Sequence, residues 1–271
     1  MLQVSATAGM SIVSPLGIDF GQASNLVSLT IPLNSTYVTS STYVNAKFGG
    51  SGTAGVTHGA PTIGNSFITI NTAQTDYFDT QIVDTGGDLT CFIVIMNTDT
   101  LAGAGTQFIG LSNYGADPGD PVTGYKGMSF VATSTTTVKV ADYWNISGTE
   151  SVGNANLTVS NLINTWHCYC FTRATVAGTS TITLYDLTTS GTTAPVSKAN
   201  AGSVIVNNES VTFRIGTNSN FGTNGGKCEI ALVDLTQGAY LSGAALSVAQ
   251  INQKYQMIKA FCAALPSPIT V

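Results

Sequence analysis

The chain has 271 residues, 43% of them apolar and only 8% charged, with 29 glycines, a net charge of −5 and a mean hydropathy of +0.24. Its nine lysines and arginines form no basic run, which excludes the clustered positive footprint that nucleic-acid binding needs. The best apolar run, Cys91 to Met96, falls far short of the roughly 20 residues of a bilayer-spanning helix.

In chain order, residues 1–20 read as an extended arm broken by Gly9, Pro15 and Gly17. Met1 to Ser5 carry no positive or long apolar region, so a secretory signal is not expected and synthesis in a cytosol is. Residues 26–33 alternate as a strand interrupted at Pro32, 34–48 suit a polar hairpin, and 49–61 are a loop by composition. Residues 1–60 are therefore expected to be an arm plus outer strands, attached to a main domain over 61–271. From residue 66 the strand signal strengthens. Phe67 to Ile70 and Asp76 to Asp79 are followed by Leu89 to Met96, a nearly continuous apolar run that suits a central strand buried on both faces. Gln107 to Leu111, Gly127 to Ala132 and Thr137 to Tyr143 come next. Trp166 to Arg173, Thr181 to Asp186, Val211 to Gly216 and Glu229 to Leu235 complete the series. Short strands with turn residues between them, without an internal repeat, predict a sandwich or barrel.

One helix is predicted over 247–265. Ser247 and Gln250 have the spacing of a capping box, and Leu246 and Ile251 that of a hydrophobic staple. Val248, Ile251, Tyr255, Ile258, Phe261 and Leu265 repeat at three and four and form one face, expected to lie against the sandwich. Pro266 and Pro268 stop the helix. The five cysteines, Cys91, Cys168, Cys170, Cys228 and Cys262, are an odd set. Cys168 and Cys170 share one face of a strand, where a bridge between them is geometrically poor. They are expected to be buried free thiols, with cross-links between subunits as the alternative.

The order of these pieces resembles the laminin-G-like and concanavalin A-like domains found in bacterial and bacteriophage surface proteins. The resemblance rests on Asp76-Tyr77-Phe78, on a strand opening in Trp166-His167 and closing in Thr172-Arg173, and on Leu184-Tyr185-Asp186. It continues through Arg214-Ile215-Gly216 and Leu246-Ser247 with Gln250-Ile251, and covers about residues 66–262. It implies an all-β, two-sheet antiparallel jelly-roll sandwich (concanavalin A-like) with one C-terminal helix. Residues 187–189 and 231–235 depart from the family pattern, and no calcium site of the family carries over residue by residue.

Little in the chain points to catalysis. The glutamates are only Glu150, Glu209 and Glu229, and none has an acid two residues away, as the paired carboxylates of a sandwich glucanase would require. There are two histidines, His58 and His167, and no Gly-x-Ser-x-Gly elbow. His167 reads as an exposed or hydrogen-bonded strand residue. The cysteines lack Cys-x2-Cys spacing, so zinc is not expected. The loop Asn113 to Tyr125 is the one suggestive of binding. Asp117 and Asp120, with Asn113 or a backbone carbonyl, offer oxygen ligands to Ca2+, a possible cofactor. Tyr114 and Tyr125 offer faces on which a sugar ring could stack. Asp142, Tyr143, Trp144 and Asn145 form a second polar-aromatic cluster, from which Asp142 and Trp144 join the candidate ligand-binding set. The alternative for these residues is a solvated Pro-Gly turn and, for Trp144, a place in the core.

The expectation is a non-enzymatic virion surface protein, a bacteriophage tail, fibre or decoration component with a carbohydrate-binding-type jelly roll. It would attach to other virion subunits through the N-terminal arm, engage a cell-surface glycan and form a homo-oligomer, a trimer by analogy with phage proteins. A structural capsid or tail protein without a glycan ligand and a glycan-degrading enzyme are the alternatives.

Overall fold

The computed structural model describes residues 27–35, 38, 42–43, 55–71, 75–84, 86–99, 108–116, 125–146, 149–188, 195–205, 211–217, 226–237 and 246–271. The arm expected over 1–20, most of the hairpin expected over 34–48, and Asp117 and Asp120 lie outside the described residues. The strands run in chain order as β1 (Val27–Pro32), β2 (Thr42–Tyr43), β3 (Gly55–His58), β4 (Thr62–Ile63), β5 (Ile68–Ile70), β6 (Tyr77–Val83) and β7 (Leu89–Asn97). Then follow β8 (Phe108–Ser112), β9 (Gly115–Ala116), β10 (Tyr125–Lys126), β11 (Met128–Ser134), β12 (Thr137–Ile146) and β13 (Thr149–Thr158). The last are β14 (Trp166–Val176), β15 (Thr179–Asp186), β16 (Val196–Ala201), β17 (Ser203–Ile205), β18 (Thr212–Ile215) and β19 (Cys228–Gln237), closed by helix α1 (Val248–Ala263).

Two antiparallel sheets stack as a sandwich. The back sheet has the order β16-β15-β14-β7-β19-β5-β4, with β1 also paired to β19. The front sheet has the order β13-β12-β11-β8-β18-β6-β3-β2, with β17 also paired to β12. The two sheets bury one shared core. Alternation along each strand decides which side chains enter it. On β7, Cys91, Ile93 and Ile95 point into the sandwich, while Phe92 and Val94 point to the opposite face. On β14, Tyr169 and Phe171 point in, and Cys168 and Cys170 point out. A register shift between Ile230 and Leu232 of β19 lets Ile230, Val233 and Leu235 face in while Ala231 and Leu232 face out.

The outer face of the back sheet is covered by α1 and the tail after it. Phe92, Val94, Cys168, Cys170 and Leu232 meet Ile251, Tyr255, Ile258, Cys262, Leu265, Ile269 and Val271 in a second apolar cluster. This explains the continuous apolar run of β7, which is covered on both sides. The Ser247 hydroxyl accepts from the Gln250 amide, and the Gln250 side chain accepts from the Ser247 amide at 2.9 Å, so the capping box is formed. The predicted face lies against the sandwich at Ile251, Tyr255, Ile258 and Leu265, and departs from the prediction at two positions. Val248 is 53% exposed, Phe261 is half-buried, and the stripe runs through Ile251, Tyr255, Ile258 and Cys262, with Lys254 beside it. Steps of four, three and four from Ile251 track the 3.6-residue turn; Val248 continues that spacing but is the first residue of α1 and is exposed there.

Three further differences concern strands. The segment 49–61, read as a loop, contains β3, which pairs with β6. Glycine-rich flanks hide this four-residue strand. β13 and β16 were not foreseen, because their sequences TESVGNANLT and VSKANA present small or polar side chains. β13 nevertheless turns Ala155 and Leu157 inward, while β16 lies largely exposed at a sheet edge. All five cysteines are buried and free.

Candidate functional site

α1 occupies the back of the sandwich, so the face of the front sheet that points away from the core is the one available for a ligand. A groove of about 280 Å³ lies there, lined by Tyr114, Ser129, Lys139, Ala141, Tyr143, Val152 and Asn154. Strand alternation places them. Val138 and Val140 of β12 enter the core, so Lys139, Ala141 and Tyr143 face outward. Ala155 and Leu157 of β13 enter the core, which turns Asn154 and Val152 outward, Val152 being 39% exposed. Ser129, Ala141 and Asn154 are register partners in one row across β11, β12 and β13.

Two tyrosines form one wall. The Tyr114 and Tyr143 rings stack with centroids 5.2 Å apart at 27°, and their hydroxyls are 2.8 Å apart. The chain between them is Gly127, whose carbonyl accepts from the Tyr143 amide. Gly127 has φ +99°, and a Cβ there would lie 2.6 Å from the Asn113 carbonyl oxygen. Only glycine fits without strain. Gly127→Ala should therefore cost about 1–3 kcal/mol. A thermal melt followed by circular dichroism should show Tm lowered by roughly 3–10 °C.

The amine of Lys139 and the amide of Asn154 have no hydrogen-bond partner among the described residues. With Ser129 and the tyrosine hydroxyls they give the groove donors and acceptors around an aromatic wall. Such a lining suits polyhydroxylated rings, whose C–H faces stack on aromatics while their hydroxyls take hydrogen bonds. The volume is at the small end of the ~300–1,000 Å³ range of ligand pockets.

The sequence-predicted residues divide. Tyr114 lines the groove. Asn113 and Asp142 do not face solvent, which corrects their reading as surface ligands. Both are fully buried. Asn113 Oδ1 accepts from the Met128 amide at 2.8 Å, and its Nδ2 donates to Asp84. Asp142 lies on the inner side of β12, 3.7 Å from Arg173 Nη1. Tyr125 stands opposite Ala116, and Trp144 opposite Ser151 and Ile205. Tyr143 and Lys139 are the residues that sequence reasoning left out of the set. The signal that marks them is the alternation of β12, in which the core valines fix the outward positions.

A calcium site through Asn113 does not fit, because its side-chain oxygen is engaged by the Met128 amide. No group of three or more His, Cys, Asp or Glu side chains gathers for a metal among the described residues. His167 is buried, with Nδ1 2.9 Å from Asp186 Oδ2 and Nε2 3.4 Å from the Asn161 carbonyl. Both ring nitrogens are thus held by the fold, and His167 has the hydrogen-bonded role expected of it but not the exposure.

No family model matches the chain, and no curated protein is matched. Solved structures do share its fold. The botulinum neurotoxin serotype D binding domain aligns with TM-score 0.52 and 11% identity over 84% of this chain and 50% of that one. A second structure, the receptor binding domain of botulinum neurotoxin D, gives 0.51 and 11% over 84% and 52%. The chain spans about half the length of these domains. The exoplasmic/lumenal domain of VIP36, in its Ca2+/Man3GlcNAc-bound form, aligns at TM-score 0.40 and 13% identity over 73% of this chain and 88% of that one. The neurotoxin alignments show a shared fold, the two-sheet antiparallel sandwich.

Proposed function

We propose that this chain is a non-enzymatic saccharide-binding module that holds a glycan in the groove on its front sheet. The Tyr114–Tyr143 wall beside the unengaged polar heads of Lys139 and Asn154 carries this reading. Receptor binding is also the role named for the neurotoxin domain that shares the sandwich. The low charge and the Thr, Ser and Gly richness, together with the resemblance to phage surface domains, favour a place on a virion. There the module would serve host attachment as part of a homo-oligomer anchored by its N-terminal arm.

Tyr143→Ala removes one ring of the wall from a partly exposed position. Affinity for a glycan selected on an array should fall roughly 5- to 30-fold, as when an aromatic anchor of an interface is truncated. Tm should move by no more than about 3 °C, the size expected of a surface change. Failure of the intact protein to bind any saccharide on the array, or wild-type affinity of Tyr143→Ala, would overturn the reading. Antibody labelling of purified particles tests the virion assignment, which fails if the protein is absent from them.

A further inference from the structure

The groove occupies one end of the front sheet. At the other end, still on the outward face, lies a second cluster. Phe213 and Ile215 of β18 enter the core, so Arg214 points away from it. Phe78 enters the core, so Tyr77 of β6 is outward as well. The His58 and Tyr77 rings stack with centroids 4.3 Å apart at 10°, and the Arg214 guanidinium carbon lies 5.2 Å from the Tyr77 centroid. The stack holds the guanidinium in place.

Few of that guanidinium's donors are used. Its nearest carboxylate oxygen, Asp79 Oδ2, is 3.9 Å from Nε, beyond hydrogen-bond length. Nε is buried without a hydrogen-bond partner, and no hydrogen bond from the Arg214 side chain occurs among the described residues. The other oxygen of Asp79, Oδ1, accepts from the Thr212 hydroxyl at 2.6 Å and from the Gln81 amide, which hold the carboxylate on their side, so that Oδ2 meets Arg214 only across the 3.9 Å gap. A planar fork of donors, fixed by an aromatic face and only loosely neutralised, is the arrangement that takes a carboxylate in two parallel hydrogen bonds.

The register joins this cluster to the groove. Arg214, Ser112, Ser129, Ala141 and Asn154 are successive partners across β18, β8, β11, β12 and β13. From Arg214 to Ala141 is three inter-strand steps of about 4.8 Å, or about 14 Å. Between them the row holds only the two serines. On a chain of net charge −5, the cations Arg214 and Lys139 therefore sit on one face, flanking a row of small side chains.

We propose that Arg214, with Tyr77 and His58, forms a second subsite for the carboxylate of an acidic saccharide whose neighbouring units reach the Tyr114–Tyr143 groove. This rests on the saccharide-binding reading and specifies the substrate class.

The test uses the intact protein and a set of oligosaccharides containing sialic or uronic acid, each beside its carboxyl-reduced derivative. The wild type should bind at least one acidic member about tenfold more tightly than its reduced partner. Arg214→Gln should abolish that difference while leaving affinity for the reduced partner within twofold. Arg214→Lys, which keeps the charge without the planar fork, should retain a preference of a few-fold and controls for folding. Equal binding of acidic and reduced partners by the wild type overturns the subsite and leaves the groove standing. So does an acid preference that survives Arg214→Gln. No binding to any member overturns the subsite, and the groove reading falls with it only if the protein also binds no saccharide on the array.

Discussion

Replacing Arg173 by alanine should remove about 3–5 kcal/mol of stability, the cost of stranding a buried charge, and lower Tm by roughly 10–15 °C. Arg173 lies on β14 of the back sheet, with only 1% of its side chain exposed. Its two terminal nitrogens form a fork on the Asp84 carboxylate, one of them at 2.8 Å, and Nε donates to the Gly87 carbonyl at 2.9 Å. Asp142 of the front sheet stands 3.7 Å from the same group. Asp84 also accepts from the Gly86 amide and from Asn113, whose own oxygen holds the Met128 amide. One guanidinium therefore ties the back sheet to the loop after β6 and to β12. Without it, the buried carboxylates of Asp84 and Asp142 lose the charge of Arg173. Arg173→Lys keeps a charge but loses the two-pronged geometry, so its loss should be intermediate. Chemical denaturation of the three proteins checks the order. A Tm for Arg173→Ala within 3 °C of wild type would contradict this account.

The same pair fixes an acid dependence. Burial pushes the Asp84 carboxyl upward, but the charge and hydrogen bonds of Arg173 outweigh it and hold the group below its ordinary value of 3.8. A carboxylate whose folded-state value is depressed adds stability above its unfolded-state value. That contribution is lost as pH falls through the lower folded-state value. The wild type should therefore lose stability steeply below about pH 4. Asp84→Asn, less stable at pH 7, should show a flatter profile in that range. Thermal melts at a series of pH values read the two slopes.

Legibility in the sequence followed the strength of the local physical signal. β7 was visible because both of its faces are covered and every position but Thr90 and Asn97 is apolar. α1 was visible because Ser247 and Gln250 write a cap in four residues, and Pro266 and Pro268 bound its far end. β16 carries no apolar face and lies at an edge, so nothing in VSKANA distinguishes it from a loop. The groove was half legible. Tyr114 stood out as an aromatic in a turn-rich segment, and Tyr143 was noticed beside Asp142. The two meet only because β8, with Tyr114 just past its end, and β12 flank β11. That is a fact of sheet order, which single-strand patterns do not encode. Asn113 and Asp142 misled for the complementary reason. A polar side chain in a loop or strand looks solvated until a distant neighbour is seen: for Asn113 the Met128 amide and Asp84, for Asp142 the guanidinium of Arg173 on the other sheet.

The second large effect concerns the ion pair beneath α1, a partner the helical pattern concealed by placing a lysine on the apolar face. Lys254 Nζ donates to Asp234 Oδ1 at 2.7 Å, and it lies 5.3 Å from the centroid of the Phe92 ring. Asp234 on β19 is fully buried and Lys254 is 6% exposed, so neither head reaches bulk water. Lys254→Met keeps the bulk of the side chain and deletes its charge, which leaves a buried carboxylate against Phe92 and the apolar seam. The expected loss is again about 3–5 kcal/mol. Asp234→Leu strands the ammonium instead and should cost a similar amount, lessened where the flexible lysine can swing toward the helix edge. The double variant should recover most of either loss. A well-packed apolar pair avoids the desolvation that the ion pair must first overcome, and its stability should come within about 1 kcal/mol of wild type. The coupling energy from the four proteins would then be several kcal/mol, far outside the additivity seen at independent sites. Additive losses in the double variant would mean that Lys254 and Asp234 act on the fold separately. The seal of α1 on the back sheet would then rest on Ile251, Tyr255, Ile258 and Cys262 alone.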